Sequence, residues 1–386
     1  MHADLLTSVV AGLYIHIPFC VSKCPYCSFA SRPLAGQDPT GYLAAILAQA
    51  RAMANHPWTR KVRFASLYVG GGTPTVYPGA DLARLIESCL ELLPFTAAPE
   101  ISVEANPNTV TLEKLQTLRR AGVNRLSIGV QSFSDRLLTA IGRAHTAKEA
   151  HAALDLARAT GFPNLNLDLI YGLPGQTLAD WQTSLTTAMA IGPEHLSLYE
   201  LMVESDTPFG DLQRAGKLAL PAEDETVAMA EAICAPLMAG GYARYEISNY
   251  SRPGYQCTQN LIYWHNDSYL GLGAGAVSSF SGLRIKTVED PALFIKLLQA
   301  GGTPFLEAEG LPLEASFRET VIMGLRLVKG VAVRDLEQRF GLTPRAYYGA
   351  VLRKLEDQGL IEEVAGQLRL TRKGLPIANQ ALARLV

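Results

Sequence analysis

No stretch of this chain stays apolar for the roughly 18–20 residues that a membrane-spanning helix needs, so stable membrane insertion is not expected. Neither sign of charge is in excess: 34 lysines and arginines stand against 36 aspartates and glutamates, a net of −2. That balance gives no general attraction to nucleic acid or to an anionic membrane surface, and neither is expected as a partner. The N-terminus lacks a basic segment followed by a cleavage site, so it reads as a first strand and not as a secretion signal. Cysteine is scarce, six in 386 residues, and bunched. Such spacing suits metal binding in a reducing compartment, the cytoplasm, better than a disulfide framework. What is present is an ordinary globular composition, 48% apolar and 18% charged, and a length that points to two domains.

Half of the cysteines lie within eight residues. Cys20, Cys24 and Cys27 stand in Cys-Val-Ser-Lys-Cys-Pro-Tyr-Cys, directly after the apolar run Leu13-Tyr-Ile-His-Ile17. A [4Fe–4S] cluster normally takes four cysteine thiolates, so three leave one iron open to a ligand from outside the protein. S-adenosylmethionine (SAM) is the cofactor that uses such an iron. The alternative is zinc, whose tetrahedral site needs a fourth nearby donor or an open catalytic water; His16 is the near candidate for the donor. Cys89 falls on one helical face with Leu82, Leu85, Ile86 and Leu93 and reads as a small buried hydrophobe. Cys234, inside the apolar-periodic segment 223–238, reads the same way.

Strand-like and helix-like segments alternate through the first half. The strand candidates are 13–17, 66–70, 100–104, 125–130, 164–170 and 195–200, and the helical stretches 41–54, 81–93, 112–121, 147–160 and 178–191. Thr146-x-x-Glu149 is a capping box, Thr177 can cap the helix that follows it, and Gly192-Pro193 stops that helix. Strict alternation predicts a parallel sheet with crossover helices. Six units are too few for a closed eightfold barrel, so the expected fold is α/β, an open partial (β/α)6 TIM-like barrel.

Each of these strands ends in an unusual sequence, and in a barrel-like sheet all six ends share the C-terminal rim. The first strand leads to the cysteines and the second to Gly70-Gly-Gly-Thr-Pro74, where chain without Cβ atoms can approach a ligand closely. Its amides and carbonyls are expected to meet the amino-acid end of SAM. Glu104, Gln131, Arg143 and Asp168 add polar groups for a carboxylate, an ammonium and ribose hydroxyls, with a bidentate Arg143–carboxylate contact expected to be the strongest. Tyr14 and Tyr26 flank the cysteines, as stacking surfaces or as core.

Four segments, Tyr14-Ile-His-Ile-Pro-Phe-Cys20, Gly70-Gly-Gly-Thr-Pro-Thr75, Ser127-Ile-Gly-Val-Gln-Ser-Phe133 and Asn166-Leu-Asp-Leu-Ile-Tyr-Gly-Leu-Pro-Gly-Gln-Thr177, resemble the oxygen-independent coproporphyrinogen III oxidase (HemN-like) family of radical SAM proteins. The resemblance runs along nearly the whole chain. It implies a radical SAM barrel holding a [4Fe–4S] cluster on Cys20, Cys24 and Cys27 and SAM on Tyr14, Gly71, Gly72, Thr73, Glu104, Gln131, Arg143 and Asp168, with Tyr26 where the oxidase holds a second SAM. The oxidase branch has a fourth cysteine where this chain has Phe29, and this chain is shorter at its N-terminus. Both features resemble the haem-chaperone branch, HemW, which binds haem as cargo and passes it to acceptor haemoproteins. An electron donor to the cluster is implied as well. The alternative is an oxidase-like or other radical SAM enzyme acting on a tetrapyrrole.

That branch carries His-Asn-x-x-Tyr-Trp as a haem-associated motif. Here the segment is Gln259-Asn-Leu-Ile-Tyr-Trp264, which retains Asn260, Tyr263 and Trp264 but replaces the histidine. Glutamine is a poor iron ligand beside His, Cys, Met or Tyr. Cys257 and His265 are nearby substitutes, and Tyr263 and Trp264 offer flat surface to a porphyrin. The other reading is a packed loop in which Cys257 and His265 are inert.

Three units are expected: a barrel over 1–240, a connecting segment with this loop over 241–305, and a C-terminal α+β region over 306–386. Helical runs at 315–327, 333–340 and 344–358 precede a hairpin, 360–364 with 367–371, which is a winged-helix-like order. From Leu311 onward, twelve basic residues face eight acidic ones, net +4, a weak basis for binding DNA.

Overall fold

The computed structural model describes residues 9–280 and 282–386. Its framework is six parallel strands that lie side by side in chain order: β1 (Val9–Ile17), β2 (Val62–Gly71), β3 (Phe95–Ala105), β4 (Arg125–Gln131), β5 (Asn164–Tyr171) and β6 (His195–Glu200). Helices Pro39–Ala54, Gly79–Leu92, Leu112–Arg120, Ala147–Ala159 and Leu178–Ile191 cross between them. Both expected caps form. Thr146 with Glu149, and Thr177 with Asp180, make reciprocal capping boxes, and Gly192 ends the last of these helices at φ 66°.

The strands alternate with period two, in the reverse sense to a small barrel with an apolar interior. Leu13, Ile15 and Ile17, Leu67 and Val69, Leu126, Ile128 and Val130, and Leu165, Leu167 and Leu169 belong to one large core with the helices. The intervening residues of the same strands, among them Tyr14, Tyr68, Ser127, Asn166 and Asp168, line a cavity on the other face. Burying each large aliphatic side chain contributes about 1.5–3 kcal/mol, so the helix-facing surface carries the stability and the inner face is free for polar groups.

The segment 241–305 adds strands to both edges of the sheet. Ser268–Leu272 pairs in parallel with β1, and Val277–Phe280, Leu283–Thr287 and Phe305–Gly310 continue the sheet antiparallel. Beyond β6, Asn249–Ser251 and Ala243–Arg244 add two short antiparallel strands. The result is one twelve-stranded open sheet whose two edges do not pair. These added strands are two to six residues long, too short for a clear periodic signal in the sequence.

The C-terminal unit accordingly begins after Gly310, later than the expected residue 306. Phe317, Leu336, Leu352, Leu355, Leu368 and Leu370 form its separate core. The hairpin Ile361–Val364 with Gln367–Leu370 is present, joined by Val331–Ala332 as a third strand. The expected helix 344–358 is broken into Pro344–Tyr348 and Ala350–Asp357 at Gly349, whose φ of 51° and ψ of −112° no helix can accommodate. The unit is tied to the sheet where the Val328 amide donates to the Tyr245 carbonyl at 2.9 Å and where Arg326 stacks 4.7 Å from the Trp264 ring centroid. Among the described residues no helix is long and apolar enough to cross a membrane.

Replacing Ile128, fully buried in β4, with alanine is expected to lower stability by about 2–5 kcal/mol. Thr146→Ala, which removes only a cap, is expected to lower it by about 1 kcal/mol. Denaturant unfolding of the two variants beside the parent checks both the order and the size.

Candidate active site

The sheet and its C-terminal loops enclose a cavity of about 660 Å³. Cys20, Cys24 and Cys27 line it together with Tyr14, Tyr26, Gly71, Gly72, Thr73, Glu104, Gln131, Arg143 and Asp168. Gln259, Asn260 and Tyr263 reach the same cavity. Five strands with the loops that follow them and one later helix thus bring fifteen of the eighteen sequence-predicted residues to one space.

A band of hydrogen bonds ties the cysteine loop to the sheet. The Thr73 hydroxyl points at Cys20 Sγ, 3.6 Å away. Asn106 Nδ2 donates to Thr73 Oγ1 at 2.8 Å, and Arg143 Nη2 donates to Asn106 Oδ1 at 2.6 Å and to the Gly129 carbonyl at 2.7 Å. Arg143 Nη1 lies 3.7 Å from Cys24 Sγ. Both hydrogens of Nη2 are therefore spent, and the bidentate carboxylate grip expected of Arg143 would cost one of these bonds; its Nε is the donor left without a partner.

The glycine run meets the expectation in one respect and departs from it in another. Gly71 sits at φ +113°, and a Cβ there would lie 2.5 Å from the His16 ring, so no other residue fits. Its amide is already taken, donating to Glu104 Oε2 at 3.0 Å. The Gly72 and Thr73 amides donate to the carbonyls of Ile17 and Phe19. The Gly72 and Thr73 amides brace the strand that leads into the cysteine loop.

His16 is not a fourth metal donor. Its Nε2 donates to the Ala30 carbonyl at 2.9 Å and its Nδ1 accepts from the Tyr14 hydroxyl at 2.9 Å, so both ring nitrogens are used. Three thiols on one loop suit a cubane, in which each thiolate takes a different iron. The donor set fits a cluster.

Deeper in the cavity the polar face is wired in one direction. The Tyr245 hydroxyl donates to His195 Nε2 at 2.9 Å, and His195 Nδ1 donates to Asn166 Oδ1 at 2.6 Å. Asn166 Nδ2 donates to Asp168 Oδ1 at 2.8 Å and to Ser127 Oγ at 2.7 Å, and Ser127 donates weakly to Asp168 Oδ2 at 3.4 Å. Every proton in this chain points toward the Asp168 carboxylate. The arrangement needs a neutral His195, and burial, with Arg125 nearby, holds its pKa well below the ordinary value. Burial nonetheless raises the Asp168 pKa against these donors.

Burial also pushes Glu104 up to about 7, although the Tyr68 hydroxyl donates to Oε1 at 2.8 Å and the Gly71 amide to Oε2. Gln131, at the rim, adopts φ 65° with its Oε1 buried and unpartnered. Left-handed backbone outside glycine costs of order 1–3 kcal/mol and gathers at ligand sites. Tyr26 packs on Phe209 at 6.3 Å between ring centroids.

The substitutes proposed for the missing histidine do not reach the cavity. Residues 258–264 form a helix, not a loop. Cys257, just before it, is buried with its thiol 3.5 Å from Glu100 Oε1, and burial pushes its pKa up to about 12, which keeps the thiolate out of reach. His265 ends the helix in solvent, 3.9 Å from Asp267. Trp264 faces Arg326 of the C-terminal unit. Gln259 is turned inward: Ser66 Oγ donates to its Oε1 at 2.7 Å, and its Nε2 has no partner.

Arg125, Ser127, Asn166, Ser197, Tyr199 and Met202 also line the cavity, although none of them was among the expected site residues. Their signal was the alternation Arg-Leu-Ser-Ile-Gly-Val-Gln over 125–131 and Asn-Leu-Asn-Leu-Asp over 164–168, polar on every second residue.

With this geometry in hand, likeness to known proteins can be read. A family model described as the radical SAM superfamily matches residues 14–188, and one described as the HemN C-terminal domain matches 311–377. A protein of Bacillus subtilis named heme chaperone HemW is 36% identical, over 95% of this chain and 97% of its own. The protein of that name from Lactococcus lactis is 34% identical over 97% and 96%, and that from Escherichia coli 42% identical over 69% of each. The solved structure of the Escherichia coli radical SAM enzyme HemN, a coproporphyrinogen III oxidase, superposes with a TM-score of 0.84 at 25% identity, over 99% of this chain and 91% of that one.

The Glu104 shift has a testable sign. The folded chain holds this proton more tightly than the unfolded chain, so the contribution of Glu104 to stability is full below pH 4.5, is lost as the pH rises to about 7, and then levels. Glu104→Gln is expected to remove that slope, at most about 3 kcal/mol across the window. Thermal unfolding of both proteins, free of SAM, between pH 4.5 and 8 checks it; parallel curves would show that Glu104 does not titrate there.

Proposed function

This chain belongs to the HemW family of radical SAM proteins, and from that premise we propose that it is a haem chaperone, binding haem in the sheet-lined cavity and releasing it to acceptor haemoproteins. The observation that carries the reading is the convergence of three thiols, a strained rim and a large polar-floored cavity on one opening. Cys20, Cys24 and Cys27 hold a [4Fe–4S] cluster, with Thr73 and Arg143 orienting two of the sulfurs. Gly71, Gly72, Glu104, Gln131 and Asp168 form the rim and wall against which SAM is held, and Tyr14 shields it from solvent. When bound, the pair supplies one-electron chemistry, fed by a separate electron donor.

Haem sits deeper and wider than SAM. Gln259, Asn260 and Tyr263 border its space, and Gln259 contributes a hydrogen-bond donor in place of an iron ligand. Weak ligation suits cargo that must leave. At the mouth, Phe29 and Met202 expose 68% and 63% of their surface; exposed apolar residues beside a cavity suit a flat macrocycle or a docking acceptor. All six cysteines are free thiols, in keeping with action in the cytoplasm.

Anaerobic reconstitution is expected to yield iron and inorganic sulfide in equal amounts and a Soret shift on haem titration. Substituting Cys20, Cys24 and Cys27 with alanine is expected to abolish the sulfide. Zinc in place of iron would overturn the cluster, and the lack of any Soret change would overturn the cargo. The close superposition on HemN favours one rival reading, in which the cavity takes coproporphyrinogen III as a substrate. Appearance of 5′-deoxyadenosine and a decarboxylated product with that compound and a reductant would decide for it.

A further inference from the structure

The least satisfied charged group lining the cavity is Arg125. It opens β4 at the floor, is 1% exposed, and leaves both Nε and Nη1 buried without a hydrogen-bond partner. Glu100, an acidic group close enough to act on it, gives it no hydrogen bond: its Oε1 accepts from the Thr258 amide at 3.0 Å and from the Cys257 thiol at 3.5 Å. A buried guanidinium with open donors is costly to maintain, and no bond of the polar chain ending on Asp168 uses it. The planar fork of arginine matches a carboxylate.

We propose that Arg125 is the receptor for a carboxylate of the cargo, a propionate arm of the tetrapyrrole that reaches the cavity floor. The inference rests on the haem-binding reading above and names the contact that orients the macrocycle. Position separates this carboxylate from that of SAM. The rim groups lie at Gly129–Gln131, four to six residues up the same strand. At about 3.3 Å per residue that is a backbone rise of roughly 13–20 Å from the Arg125 Cα, part of which its own side chain spans. A ligand anchored at the rim by its amino-acid end keeps its own carboxylate there, whereas the acidic arms of a macrocycle reach on toward the floor. Ser127 and Asn166 line the intervening wall and leave a polar path for the arm.

The test compares haem with its dimethyl ester, which keeps iron and macrocycle and removes both charges. Holding the full-length, cluster-reconstituted protein constant, the parent is expected to bind haem roughly ten- to a hundredfold more tightly than the ester. In Arg125→Gln the two are expected to bind alike, with SAM affinity unchanged. Arg125→Lys, which keeps the charge and loses the fork, is expected to retain part of the preference, and it carries the test if the glutamine variant does not fold. Equal binding of haem and ester by the parent, or a preference that survives in either variant at full size, overturns the proposal. Loss of SAM affinity in place of haem preference assigns the carboxylate to SAM and overturns it too. If the parent binds neither porphyrin, it is the chaperone reading that fails, a result distinct from these.

Discussion

Everything in this molecule follows from which face of six parallel strands was made apolar. Packing leucine, isoleucine and valine outward against the crossover helices supplies the burial that holds the sheet together. The inner face is then not needed for stability. It can carry serine, asparagine, aspartate, arginine and tyrosine, groups that a well-packed core would reject. An open sheet makes this workable, because a cavity and not a plug of side chains occupies the concave side.

Polar groups placed there must still be satisfied, and the structure meets that demand in two ways. Most are wired to one another. The chain from Tyr245 through His195 and Asn166 to Asp168 has a single proton direction, and the band from Cys20 through Thr73, Asn106 and Arg143 to Cys24 locks the cysteine loop to the rim. Among the residues that line the cavity the exceptions are Ser31 Oγ, Gln131 Oε1, Arg143 Nε, Gln259 Nε2 and two nitrogens of Arg125. In a native interior such orphans are few, and these five residues share one cavity. Gln131, one of three non-glycine residues at positive φ among the described residues, stands on the rim.

The strands beyond the parallel six explain how the cavity is bounded. Ser268–Leu272 lies against the outer edge of β1 and brings the preceding helix, with Gln259, across the inner face, where it packs so closely on Gly12 that a Cβ there would lie 2.6 Å from Gln259 Oε1. The C-terminal unit secures that helix from the far side through Trp264 and Arg326. Trp264 thus serves the junction between the two units and Gln259 serves the cavity, although the two belong to one short motif.

The cysteine spacing, the strand–helix alternation, the Thr146 capping box, the Thr177 cap and the glycine run were all legible in the sequence, because each is a local pattern whose physics is complete within a dozen residues. So was the gathering of Glu104, Gln131, Arg143 and Asp168, since parallel strands must end on one side. Tertiary structure alone decided the rest. Whether Cys257 or Gln259 meets the cavity depends on how a two-turn helix is rolled against β1 and β2, which short sequence does not encode. The extra strands at the sheet edges are too brief to show a period. That the Gly72 and Thr73 amides brace the strand leading into the cysteine loop, and that Arg125 is left with open donors, depends on partners scores of residues away. Local pattern determined the elements and the ends they present; only long-range packing determined which donors were already spent.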